Sequence, residues 1–229
     1  MEDVPARIEH TVLGPLTTWA DVETVLDAAI ELGMKACVPP CHVARAVEYA
    51  PGVDVVTVVG FPHGHHATET KCTEAVAAWE DGAAEVDVVV SLGRLDEDVD
   101  ALQADLAEVV ASVPLPVKVI VEAPLLDEEQ LRTVAAATVE AGADFLKTAT
   151  GFSGGGATVE DVGTLSEFLP VKASGGIGSW TRAREMFDAG AERIGASSGD
   201  TIVREYLEAT DEGGDEDDSR GDSGSRPAY

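Results

Sequence analysis

Lysine is scarce in this chain: five residues in 229, beside ten arginines and 43 acidic side chains. Aromatic residues make up 5% and cysteine contributes three. The net charge of -28 argues against a nucleic-acid partner, whose phosphates it would repel. No apolar run reaches the roughly 18 residues that a membrane span requires. The opening Met1-Glu-Asp-Val-Pro-Ala-Arg7 has neither the basic nor the apolar region of a signal peptide. Cys37, Cys41 and Cys72 are odd in number and lack framework spacing, which fits a reducing compartment. On these absences the chain is expected to be cytoplasmic, with no membrane or nucleic-acid partner. Acidic excess with little lysine suits a surface bathed in molar salt, where screening suppresses self-repulsion.

What is present is a core: 45% of residues are apolar, ample for one large domain. Residues 211–229 hold one terminal aromatic and no aliphatic run, too little burial to offset ordering entropy, so they are expected to form an acidic disordered tail. Arg220-Gly221-Asp222 within it is read as a chance tripeptide. Residues 1–210 alternate short apolar runs with amphipathic stretches. Strands are expected at 8–12, 34–38, 53–59, 85–91, 117–122, 144–149, 171–173 and 192–196. A helix over 19–32 presents Val22, Val25, Leu26, Ala29 and Ile30 on one face. Asp127 with Gln130, Thr158 with Asp161, and Ser179 read as helix starts.

A weak repeat marks each return from helix to strand: Leu32-Gly33-Met34, Asp81-Gly82-Ala83, Ala141-Gly142-Ala143 and Ala189-Gly190-Ala191. Eight strand–helix units in strict alternation predict an α/β fold, the (β/α)8 TIM barrel. A doubly wound sheet is the rival, but no dinucleotide or Walker loop follows an early strand. Parity along the strands also favours the barrel. Asp87 with Ser91, Lys118 with Glu122, and Lys172 with Ser174 each share a face, while the intervening valines form an apolar face for packing on helices.

Lys147 and Lys172 end consecutive strands and run into glycine-rich loops. Chemistry in such barrels sits at the carboxyl ends of strands, so the two amines are expected to be neighbours. Two close cations disfavour each other's charge, and a neutral amine is the form that attacks a carbonyl. The plainer alternative makes both lysines ion-pair partners of Asp87 and Glu122. The loops Ser174-Gly-Gly-Ile-Gly178 and Gly195-Ala-Ser-Ser-Gly-Asp200 follow strands seven and eight, the usual phosphate location in this architecture. Cys41-His42 and His63-Gly-His-His66 lack the spacing of a metal site, so no metal or other cofactor is expected. His10 reads as an interior or site-edge histidine.

In order along residues 8–205 stand Ile8-Glu-His-Thr-Val-Leu13, Cys37-Val-Pro-Pro40, Val59-Gly-Phe-Pro-His-Gly64, Glu85-Val-Asp-Val-Val-Val90 and Lys118-Val-Ile-Val-Glu122. Then come Asp144-Phe-Leu-Lys-Thr-Ala-Thr-Gly-Phe152, Gly155-Gly-Ala-Thr158, Val171-Lys-Ala-Ser-Gly-Gly-Ile177 and Arg193-Ile-Gly-Ala-Ser-Ser198. With these motifs the chain resembles the deoxyribose-phosphate aldolase family, class I aldolases of the DeoC type. The resemblance implies reversible cleavage of 2-deoxy-D-ribose 5-phosphate to acetaldehyde and D-glyceraldehyde 3-phosphate, without metal, in a homo-oligomer. It implies that Lys147 forms a Schiff base, that Lys172 depresses its pKa, and that Asp87 works with a water in proton transfer. Gly151, Gly175, Gly176, Gly195, Ser197 and Ser198 would hold the phosphorylated substrate, with Glu9 and Lys118 in support. Glu9, Pro39, Ser91, Ala149 and His63 depart from the common family pattern. Two other readings stay open: a lysine-dependent aldolase for a different phosphorylated aldehyde, and a phosphate-binding barrel that has lost catalysis.

Overall fold

The strands are short runs rich in β-branched residues, which suit extended backbone, and the last strand pairs back to the first. In the computed structural model, which describes residues 3–214, eight parallel strands join in sequence order into a closed barrel. They are β1 (Ile8–Thr11), β2 (Lys35–Cys37), β3 (Val55–Val59), β4 (Glu85–Val89), β5 (Val117–Ile120), β6 (Phe145–Lys147), β7 (Val171–Ser174) and β8 (Ala191–Ala196). The helices are α1 (Trp19–Leu32), α2 (Val43–Tyr49), α3 (Thr68–Glu80), α4 (Val99–Ser112), α5 (Glu128–Glu140), α6 (Val159–Ser166), α7 (Trp180–Asp188) and α8 (Gly199–Gly214). The α/β barrel expected from the alternation is therefore the fold.

The core lies between strands and helices. Val86, Val88, Val117 and Val119 are fully buried there, as strand parity predicts. On α1, Val22, Val25, Leu26 and Ala29 are buried, but Ile30 is 56% exposed: it lies one helical step past the buried stripe. The capping boxes and caps form where the sequence places them. Asp127 and Gln130 bond reciprocally, Thr158 accepts from the Asp161 N–H, and Ser179 accepts from the Arg182 N–H. Each such cap contributes on the order of 1 kcal/mol. Gly33, Gly82, Gly142 and Gly190 all have positive φ, between 73° and 110°, which reverses the chain from helix into strand.

Helix α8 continues to Gly214, so the first four residues of the expected tail extend this helix. The rest of that tail, with the Arg220-Gly221-Asp222 tripeptide, lies outside the described residues. Among the described residues no helix is long and apolar enough to cross a membrane.

Candidate active site

Inward-facing strand positions carry charge instead of aliphatic bulk. Asp87 on β4 and Lys118 on β5 are register partners, as are Lys147 on β6 and Lys172 on β7. Asp87, Lys118 and Lys172 are fully buried and Lys147 is 3% exposed. Buried charges persist only when paired, and here the pairing converges on Asp87. Its Oδ2 accepts from Lys147 Nζ at 2.9 Å and from Lys172 Nζ at 2.7 Å, while its Oδ1 accepts from Lys118 Nζ at 3.1 Å. Glu9, on β1, pairs with Lys172 and lies 3.4 Å from Lys118.

The protonation pattern follows. Burial by itself would raise the Asp87 pKa, but Lys118, Lys147 and Lys172 hold it well below the usual carboxylate range. Burial disfavours the Lys172 charge, yet Asp87 and Glu9 outweigh it and hold this amine above the ordinary lysine value. Lys118, opposed by burial and favoured by Asp87 and Glu9, is pushed up to about 12. The charged form of Lys172 is therefore favoured beside Lys147.

The charged cluster extends farther down the barrel than the motifs suggest. Glu85 pairs with Lys118, with Lys35 at 3.0 Å and with Arg193 at 3.3 Å, and Lys35 also reaches Asp54 at 2.5 Å. Burial raises the Glu85 pKa, but Lys118, Arg193 and Lys35 lower it to about 2. Glu85 shares its face with Asp87, two residues on, so parity alone could have revealed it. Glu9, Asp54, Glu85 and Asp87 thus alternate with Lys35, Lys118, Lys172 and Arg193 in one buried ion-pair column, and Lys147 joins it at its upper end through Asp87.

The amines differ in access. Lys147 lines a cavity of about 370 Å³ at the carboxyl end of the barrel, whereas Lys172 and Asp87 lie behind it. Gly151, Gly175, Gly176, Gly195 and Ser197 also line this cavity, and Lys147 is the cationic side chain among its lining residues. Ser198 does not line it: this residue stands immediately before α8, its carbonyl accepting from the Ile202 N–H. Gly195 has a packing reason beyond any ligand, since a Cβ there would sit 2.7 Å from Lys172 Cε. Ser174 donates to the Ala149 carbonyl at 2.6 Å and so ties β7 to the loop after β6.

Glu122 does not join the lysines. Its carboxylate accepts from the Thr150 hydroxyl at 2.6 Å and the Thr150 N–H at 3.1 Å, so the ion-pair alternative is correct for Asp87 and wrong for Glu122. The strand ends at Ile120, and parity no longer governs where Glu122 points. Thr150 and Phe152 line the cavity, with Phe152 edge-on to Phe61 at 5.3 Å between centroids. His10 accepts from the Gly199 N–H at 3.2 Å, and burial, more than the Ala196 carbonyl and Asp200 can offset, lowers its pKa. Of the two places the sequence allows, interior or site edge, it takes the interior one.

Cys37 is buried, its thiol pushed up to about 11 by burial against a partial offset from Lys172. The three cysteines are free. His63 stacks near His65 at 6.1 Å and His66 faces Glu74 at 3.3 Å. Among the described residues no three His, Cys, Asp or Glu side chains gather as a metal site.

Comparison with known proteins gives the same picture. Residues 7–207 match the family DeoC: DeoC/LacD family aldolase. The chain is 63% identical to a deoxyribose-phosphate aldolase of Natronomonas pharaonis over 199 residues, 86% of this chain and 92% of that one. It is 59% identical to the deoxyribose-phosphate aldolase of Haloarcula marismortui, over 92% of this chain and 91% of that one. These relatives come from halophilic archaea, in line with the acidic, lysine-poor composition. The tetrameric deoxyribose phosphate aldolase of Aeropyrum pernix superposes with a TM-score of 0.84 at 33% identity, covering 90% of this chain and 92% of that one. By barrel, buried lysine pair and sequence, the chain belongs to the DeoC/LacD family of aldolases.

Proposed function

We propose that the chain reversibly cleaves 2-deoxy-D-ribose 5-phosphate to D-glyceraldehyde 3-phosphate and acetaldehyde through a Schiff base on Lys147. The observation that carries this reading is the unequal access of two paired amines: Lys147 opens into the cavity, while Lys172 is fully buried and held by Asp87 and Glu9. Lys147 Nζ adds to the C1 carbonyl of the open-chain sugar, and loss of water leaves a protonated imine. The C3 hydroxyl gives up its proton and becomes the aldehyde of glyceraldehyde 3-phosphate. As the C2–C3 bond breaks, its electron pair moves toward the imine nitrogen and leaves an enamine. Protonation at C2 and hydrolysis then release acetaldehyde and restore the amine. Asp87, kept ionised by its contacts with three lysines, works with a water in the proton transfers.

In the same cavity Gly175, Gly176, Gly195 and Ser197 offer backbone N–H groups and a hydroxyl to the phosphate, with Ser198 at the start of α8. Lys118 and Glu9 keep Asp87 and Lys172 in place. The chain works in the cytoplasm as a homo-oligomer, the latter supported by the tetrameric Aeropyrum pernix relative. Acetaldehyde plus borohydride should leave a reduced ethyl adduct on Lys147. An adduct on another lysine, or none, defeats the assignment. Turnover of deoxyribose 5-phosphate should persist in chelator, and activity with a different phosphorylated aldehyde alone would favour the alternative aldolase.

A further inference from the structure

Glu122 adopts a left-handed backbone, φ 51° and ψ 50°, immediately beyond β5. Glycine or asparagine takes that conformation readily, whereas a glutamate there is strained. Strain of this kind persists where something else is gained. What is gained is visible in the side chain. Glu122 is 4% exposed, and its carboxylate is spent on one residue, Thr150, taking the N–H with both oxygens (3.1 and 3.3 Å) and the hydroxyl at 2.6 Å.

Thr150 follows Lys147 by three positions and opens the loop that forms the outer wall of the cavity. Its hydroxyl donates to Glu122 and accepts from the Phe152 N–H at 3.1 Å, which sets Phe152 against Phe61. The turn after Glu122 backs the same loop: a Cβ on Gly155 would meet Pro124 at 2.8 Å. Lys147 itself is held on this side by its carbonyl, which accepts from the Val121 N–H at 3.0 Å. One short segment, 121–124, therefore supports both the reactive strand and the wall facing it.

We propose that Glu122 is a positioning residue that holds the Thr150–Phe152 wall against the distal part of the bound sugar phosphate. This rests on the aldolase reading of the cavity. Acetaldehyde is too small to reach the wall, so its capture by Lys147 is independent of Glu122. The phosphorylated sugar spans the cavity and depends on it.

Glu122→Gly tests the role cleanly, because it removes the carboxylate at a position whose backbone suits glycine. The expected result is a rise in KM for deoxyribose 5-phosphate of at least about tenfold, the scale of a lost hydrogen bond to a charged group. The rate of borohydride-trapped acetaldehyde adduct on Lys147 should stay within about twofold of the unaltered protein, since none of the groups that polarise this amine has been touched. Glu122→Gln, which keeps an acceptor for the Thr150 N–H, should recover part of the KM, and it carries the same comparison should the glycine variant fail to fold. An unchanged KM overturns the proposal. So does a parallel fall in KM-derived affinity, adduct rate and melting temperature, the mark of a merely structural role. Absence of the Lys147 adduct in the unaltered protein overturns the Schiff-base reading and this inference with it.

Discussion

Lys147 and Lys172 are register partners on adjacent strands, and their ammonium nitrogens meet at one oxygen, Oδ2 of Asp87, at 2.9 and 2.7 Å. Strand pairing places the two Cα atoms side by side, and a single carboxylate then draws both side chains to one point. Removing the Lys172 charge leaves Glu9 and Asp87 buried with too few cations. Lys172→Met should therefore destabilise the barrel by about 3–5 kcal/mol. It should also cut kcat by at least about a hundredfold, comparable with losing general acid–base assistance. Urea unfolding and turnover on the refolded fraction separate the two effects, and unchanged turnover would remove Lys172 from the mechanism.

Gly195 and Lys172 compete for the same space. A Cβ at 195 would lie 2.7 Å from Lys172 Cε and 3.2 Å from Ser174 Cβ, so Gly195→Ala must push the lysine off Asp87. An overpacking cost of about 1–3 kcal/mol is expected. A drop in kcat larger than the change in KM should accompany it. If KM alone rises, Gly195 matters for ligand contact and not for the lysine.

Glu85 makes acid stability a readout of the buried column. Its pKa is depressed from the ordinary 4.5 to about 2, so the unfolded chain takes up this proton first as pH falls. The stabilisation is present above about pH 4.5 and is lost as pH drops toward 2. Asp87, held well below the usual carboxylate range by its three lysines, acts in the same direction. Glu85→Gln should lose about 3 kcal/mol near neutral pH and show a shallower decline between pH 4.5 and 2. Urea midpoints across that range check it, and parallel curves for the two proteins would refute it.

Lys71 separates burial from catalysis. It is as buried as Lys172, donating to Asp105 at 2.7 Å and to the Val89 carbonyl at 3.1 Å between α3 and α4. Lys71→Met strands a buried carboxylate and should cost about 3–5 kcal/mol. Turnover per folded molecule should be unchanged. A selective loss of turnover would extend the catalytic machinery to α3.

The surface charge predicts salt dependence. With a net charge of -28, self-repulsion in dilute buffer opposes folding, and at about 1 M salt the screening length falls to about 3 Å. The melting temperature should rise between dilute buffer and molar potassium chloride. An equal or lower value in salt would contradict the reading of the surface.

Strand alternation, glycine at helix ends and cap residues are local signals. From them the barrel, the positions of Lys147 and Lys172 on neighbouring strands, and the inward faces of Asp87 and Lys118 follow directly. All five lysines turn out to be interior or nearly so, because the fold uses arginine for its exposed cations. Lys71 gave no warning, since a lysine on a polar helix reads as solvated and its partner Asp105 is 34 positions away. Glu122 was misplaced because parity ends with the strand, and its direction depends on Thr150 across the next loop. Which amine faces the cavity and which is sealed also came only from closure of the cylinder. Local periodicity decides which way a side chain leaves its strand, but its partners, accessibility and charge state depend on groups brought near only when distant segments pack together.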